Sequence, residues 1–252
     1  MNQISQDMEP WNLKSSDERT FDSLLTFIIF CEDEVSEPIY FKYFETPLIK
    51  VNPIGGQKSK MKNVITAISH CFDRNMFEEV DGLHILKRSE TQVWCVFDRD
   101  VENQVSTSGN VEFNEAIDTA TSKGIKVAWS NDAFELWILL HFEDVPINQV
   151  TQHRSYYYSR LTDIFKRMET ENTDLSDALK YSGFSYERDL KRKNNFRNIV
   201  RREAISLFRD AIARAKNLET LHGKISLFHK KSPCTTVHHL VEELINFGRK
   251  GT

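Results

Sequence analysis

Apolar residues along this chain first gather in short continuous runs and later recur at helical spacing, and the change falls near residue 146. The run "LLTFIIF" over 24–30 is rich in β-branched and aromatic residues, the pattern of a strand buried on both faces. It ends at "CEDEVSEP", where Ser36 is suited to cap a helix and Pro38 to its first turn. The spacing predicts a short helix ended near Pro47, with Tyr40, Phe41 and Phe44 on its apolar stripe. "PLIKVNPIGG" predicts a second strand closed by a glycine turn. "KSKMKNVITAISHCF" then has helical periodicity through Met61, Val64, Ile65, Ile68 and Phe72. Residues 73–91 are charged and irregular. "QVWCVF" predicts the next strand, followed by a helix with Asn110 as its cap and Gly124 just past its end. "IKVAWS" predicts a further strand and "DAFELWILLHF" an apolar helix. Strands alternating with helices from 24 to 142 predict an α/β fold, a parallel sheet covered on both faces.

Beyond that point strand alternation stops. "YERDLKRKNNFRNIVRREAISLFRDAIARAKNLETL" predicts one long helix or two. "TTVHHLVEELINF" predicts a final amphipathic helix with Val237, Leu240, Val241, Leu244 and Ile245 on one side. The expected organisation is a loosely ordered leader over 1–22, an α/β core over 23–145, and a mostly helical C-terminal region over 146–252 packed on that core.

Composition narrows the class. Hydrophobic residues at 40% and charged residues at 28% suit an ordinary globular protein, and a net charge of −4 supplies no global attraction to nucleic acid. Cys31, Cys71, Cys95 and Cys234 form no CxxC pair and are expected as small buried hydrophobes in a reducing compartment. The polar first 20 residues lack a signal-like apolar core, and no apolar run approaches the ~20 residues that span a bilayer. The expectation is a cytoplasmic protein without a membrane partner.

Three acidic clusters follow strands. In open parallel sheets ligands bind beyond the carboxyl ends of the strands. Asp98 and Asp100 in "VWCVFDRD" occupy such an end, and alternate strand residues share a face, so their side chains converge while Arg99 points away. Two unneutralised carboxylates either raise a pKa or recruit a cation, and oxygen-only ligands suit Mg²⁺ or Mn²⁺. Asp pairs also cap helices and make turns, so the DxD alone is ambiguous. "CEDEVSEP" adds Glu32, Asp33, Glu34 and Glu37; with the two strands adjacent, Glu32 faces the aspartate pair, while Glu34 belongs to the helix dipole. "WSNDAFELW" adds Asn131 and Asp132 as caps or site residues, and Glu135 interrupts an otherwise apolar helix.

"FCEDEVSEPIYF", "VWCVFDRD", "AWSNDAFELWILLHF" and "SPCTTVHHLVEEL" together resemble the RloB-like proteins of the wider Toprim group, over roughly residues 24–247. That resemblance implies a Toprim-like Rossmannoid sheet and places Glu32 as the acidic residue after the first strand, with Asp98 and Asp100 as the metal-binding DxD. It implies a Mg²⁺- or Mn²⁺-dependent nuclease acting on RNA or DNA, associated with anti-phage loci and an ABC- or AAA-type ATPase partner. Glu37, Asn131 and Glu135 would support the metal or form a second metal site. Many relatives have glycine after the first glutamate where this chain has Asp33; aspartate also tolerates a left-handed turn, so the turn is expected to survive.

Substrate contact is expected from Arg188, Lys191, Arg192, Lys193, Arg197, Arg201 and Arg202, a patch that attracts phosphates without reading sequence, with a solvated face or docking surface as the alternative. "GGQKSK" is a strand-to-helix turn without a Walker pattern that brings Lys58 or Lys60 towards substrate. "TVHHL" and "SHC" have no two-by-two ligand spacing for zinc. His141 is expected to pack within its helix, and "SYYYSR" to pack in a core or interface. The competing reading is a non-catalytic module that binds an ATPase or nucleic acid; nucleotidyl transfer, as in primases, ranks below both. A homo-oligomer stays open.

Overall fold

The computed structural model describes residues 24–87, 89–101, 107–147 and 154–249. The first part runs β1 (Leu25–Cys31), α1 (Ser36–Lys42), β2 (Ile49–Ile54), α2 (Lys60–Asp73), β3 (Phe77–Val80), β4 (Leu83–Leu86), β5 (Thr91–Asp98), α3 (Thr107–Ser122), β6 (Lys126–Ser130) and α4 (Glu135–Leu140). The second is helical: α5 (Arg154–Arg167), α6 (Thr173–Leu179), α7 (Lys193–Asn195), α8 (Arg201–Ile205), α9 (Phe208–Leu221) and α10 (Val237–Gly248). Wide π-type turns occupy Tyr186–Leu190 and Phe196–Val200.

β2, β1, β5 and β6 form one parallel sheet in that order, the Rossmann-like α/β arrangement the alternation predicts. Strand alternation sorts the side chains onto two faces. Phe27, Ile29, Cys31, Val51, Trp94, Val96 and Ala128 join a core with α1, α4, α5, α9 and α10. Ile28, Phe30, Ile54, Val93, Cys95, Phe97 and Trp129 join a second core with α2 and α3. The helical second half therefore shares a core with the sheet. All four cysteines are buried and outside disulfides.

The chain leaves β1 for β2 on one side, then returns to place β5 on the other. Strand order thus reverses between β1 and β5, where such folds open a crevice at the carboxyl ends. Asn63, buried in α2, locks this junction: its Nδ2 donates to the carbonyls of Phe30 at 3.0 Å and Val96 at 2.9 Å.

Several local expectations need correction. Residues 77–86 form the hairpin β3–β4, because Asp81 and Gly82 adopt the paired positive φ values of 53° and 77° that suit a tight hairpin turn. Ser36 does not cap α1; its backbone N–H donates to Asp33 Oδ2 at 2.6 Å, so Asp33 supplies the capping oxygen. Asp33 has no positive φ, and a glycine-like turn is not what this position requires. Asn110 lies inside α3, and its Oδ1 receives Arg99 instead. The one or two helices expected over 186–221 are more finely divided, with Asn195 donating to the Asp189 carbonyl at 2.8 Å and Leu207 leaving helical geometry. The leader over 1–22 lies outside the described residues.

Candidate functional site

Register brings the first acidic cluster to the second. β1 and β5 pair with Cys31 opposite Val96, and Glu32 continues the ladder by donating its N–H to the Val96 carbonyl at 3.1 Å. The Glu32 side chain then reaches across the strand end, where Oε2 accepts the Asp98 N–H at 2.8 Å. Asp98 Oδ2 accepts the Phe134 N–H at 2.8 Å, tying β5 to the entrance of α4. Glu37, 1% exposed, lies beneath them, with Oε2 accepting the Asp33 N–H at 3.2 Å.

The turns after β5 and β6 interlock. Asp100 has a φ of 54° and Asp132 a φ of 102°, left-handed values uncommon outside glycine and enriched at functional sites. Asp100 N–H donates to the Asp132 carbonyl at 3.1 Å, and Val101 N–H to Asp132 Oδ1 at 2.9 Å. β5 ends at Asp98, so Asp100 reaches the site through this turn rather than by strand alternation. The turn after β2 also closes in: a Cβ on Gly55 would stand 2.9 Å from the Asp33 carbonyl oxygen, so only glycine fits.

These acids repel each other. Burial first, then the Asp100 charge, raises the Glu32 pKa to about 7, against Lys60 and Arg154, which lower it. Burial, followed by Asp100, Glu32 and Glu135, raises Asp98 well above the carboxylate range. Burial, followed by Asp98, Asp33 and Glu32, does the same to Glu37. Asp98 Oδ1 and Glu37 Oε1 are buried without a hydrogen-bond partner. Acceptor oxygens left in that state are costly, and a bound cation is one way to satisfy them.

Cations of the chain itself answer part of the charge. Asp100 receives Lys60 Nζ on Oδ2 at 3.1 Å and Arg154 on Oδ1. Glu135, 3% exposed, pairs with Lys191 at 2.8 Å. Burial alone would lower the Lys191 pKa, but Glu135 and Tyr158 raise it, so the pair is ionic.

The structure therefore brings Glu32, Glu37, Asp98, Asp100 and Glu135 into one electrostatic neighbourhood. Asn131 is turned elsewhere: Oδ1 accepts Arg99 at 2.9 Å, and Nδ2 donates to the carbonyls of Phe228, His229 and Lys231. Arg99 also holds Asn110, so Arg99 is a brace between the β5 turn, α3 and the segment before α10. The basic patch divides as well. Lys191 enters the site, Arg188 pairs with Asp189, and Arg201 stacks over Tyr43, leaving Arg192, Lys193, Arg197 and Arg202 on the exposed surface. Arg154 was missed by sequence reasoning, since only the docking of α5 reveals its partner. Tyr157 is buried in the core with its hydroxyl lacking a partner, and Asp132 and Asp98 add to the burial that keeps it protonated.

"SPCTT" earns its place structurally. Thr236 N–H donates to the Trp129 carbonyl at 2.8 Å and Asn131 N–H to the Cys234 carbonyl at 2.8 Å, which fastens this segment along β6.

Fold and site together define an α/β protein with a cluster of acids at the carboxyl edge of a parallel sheet. Residues 27–244 match the model of the RloB-like protein family, and the chain belongs to that family. No curated protein and no solved structure matches it.

Proposed function

We propose that the chain is a Mg²⁺- or Mn²⁺-dependent endonuclease of Toprim type, cleaving RNA or DNA phosphodiesters as an anti-phage effector under control of an ABC- or AAA-type ATPase partner. The observation that carries the metal site is the set of mutually repelling carboxylates of partly buried Glu32 and Asp98 and buried Glu37, two of which keep a buried oxygen without a hydrogen-bond partner. Glu32, Asp98 and Asp100 would hold the ion, which when bound supplies a Lewis acid that activates water and offsets charge on phosphate. The chain's own residues do the rest. Glu32, Asp98 and Glu37 are each oriented by a backbone N–H group, those of Asp98, Phe134 and Asp33. Lys60 and Arg154 fix Asp100 and would offer positive charge to a phosphodiester. The exposed Arg192, Lys193 and Arg197 supply a non-specific phosphate track.

The test is incubation of the purified chain with Mg²⁺ or Mn²⁺, alone and with its ATPase partner, on total RNA and plasmid DNA. Cleavage that falls about 100-fold or more in Asp98→Asn and Glu32→Gln supports the proposal. Failure to cut either nucleic acid under all these conditions contradicts it.

A second reading rests on the same pairs. With Lys60 and Arg154 on Asp100, and Lys191 on Glu135, the acids serve as internal ion-pair partners in a non-catalytic module that binds an ATPase or nucleic acid. Equal defence activity of wild type and Asp98→Ala with Asp100→Ala would select it.

A further inference from the structure

A second cluster of ligand-type side chains lies where α9 meets α10. Glu219 stands in the last turn of α9, and His238 and His239 stand in the first turn of α10. Neighbouring helix residues ordinarily diverge. Here the two imidazole rings lie with centroids 4.0 Å apart, and both Nε2 atoms approach the same oxygen, Glu219 Oε2, at 3.1 Å and 3.0 Å. One donor atom from each of the three residues falls within 4.8 Å of the others.

His238 gives this cluster direction. It is fully buried, and neither ring nitrogen has a hydrogen bond of good geometry among the described residues: its polar neighbours are a backbone group of Thr235 and, at 3.1 Å, Glu219. A buried imidazole in that state costs free energy that a ligand would recover. His239 and Glu219 have side chains 48% and 36% exposed, so the cluster opens to solvent on one side.

We propose that Glu219, His238 and His239 form a Zn²⁺ site that staples α9 to α10. Tetrahedral zinc with N and O ligands at about 2.0–2.2 Å sets its ligand atoms roughly 3.4 Å apart. The 3.0 Å and 3.1 Å separations are close to that edge, so the side chains need only small movements to bind. Two imidazoles and one carboxylate favour zinc over the hard cations that an all-oxygen site takes. The solvent-facing side leaves a fourth position for water. The cluster draws on none of the carboxylates at the ends of β1 and β5, so it stands independently of the nuclease reading.

The experiment uses the full chain stripped with a chelator and titrated with Zn²⁺ against a chromophoric competitor, in excess Mg²⁺. Wild type is expected to bind one more Zn²⁺ than His239→Ala or Glu219→Gln, whose exposed positions leave the core intact. Zinc is expected to raise the melting temperature of wild type and not of the variants. X-ray absorption of the wild-type zinc complex reads the ligands directly, so the outcome survives a variant that misfolds. Outer-shell scattering from two imidazoles supports the site. Equal zinc content in wild type and both variants, or bound zinc without imidazole scattering, overturns it.

Discussion

Glu32 concentrates the site's electrostatics in one side chain. Its carboxylate accepts the Asp98 N–H while burial and Asp100 raise its pKa from 4.5 to about 7. A carboxyl with a higher pKa folded than unfolded binds more protons in the native state at intermediate pH. Its stabilising contribution is thus complete below pH ~4.5 and is lost as pH rises through about 7. Urea unfolding in the presence of a chelator should show wild type losing stability across that window, with a flatter profile for Glu32→Gln. Lys60→Met or Arg154→Ala should move the upper limit of the window higher, because both cations lower the Glu32 pKa. Divalent ions need the ionised form, so Mg²⁺ affinity should rise with pH through the same range, with proton release measurable by calorimetry in buffers of different ionisation enthalpy.

The element that sets the site is the β1–β5 junction, and Asn63 is its clamp. Asn63→Ala removes one amide from two strand carbonyls in a buried setting, and a fall in stability of about 1–3 kcal/mol is expected from the urea midpoint, with reduced metal affinity following from loosened strand ends. At this scale the sequence was most readable. The apolar runs of β1, β5 and β6 are continuous because both sheet faces are covered, and acids at their ends mark the site. The hairpin over 77–86 was hidden because its exposed residues mix Glu78 and Glu79 with apolar Val80 and Leu83, leaving no clear alternation, and only Asp81 and Gly82 signal the turn. The sequence allowed one helix or two over 186–221 without placing the breaks, since the π-type turns, the Asn195 contact and the kink at Leu207 leave the apolar spacing intact. Within the site, Glu32 and the aspartates were legible from their places after strands. Arg154, and the turning of Asn131 towards 228–231, depend on long-range docking that no local spacing encodes. The pair His238–His239 lacked a motif for the same reason: its third partner, Glu219, comes from another helix.

Across the whole molecule, the helical half is fastened to the sheet at several distant points. Arg214 of α9 donates to the Leu140 and His141 carbonyls at the end of α4, and Lys126 of β6 meets Glu243 of α10 at 2.6 Å. Lys191, brought by the same half, completes the ion pair with Glu135. The helices thus help build the site, and their exposed cations extend from it. Replacing Arg192 and Arg197 by Glu should weaken nucleic-acid binding without regard to sequence. The slope of log affinity against log salt should flatten by about 0.7–0.9 for each phosphate that is no longer neutralised. No described helix is long and apolar enough to cross a membrane. The acidic cluster at the ends of β1 and β5 is proposed to hold a divalent cation. Diffraction from crystals soaked in Mn²⁺, recorded at the manganese absorption edge, tests this most directly. An anomalous peak ligated by Glu32, Asp98 and Asp100, and absent from Asp98→Asn, is the expected result. An acidic cluster without a peak at saturating Mn²⁺, with Lys60 and Arg154 still on Asp100, would contradict it.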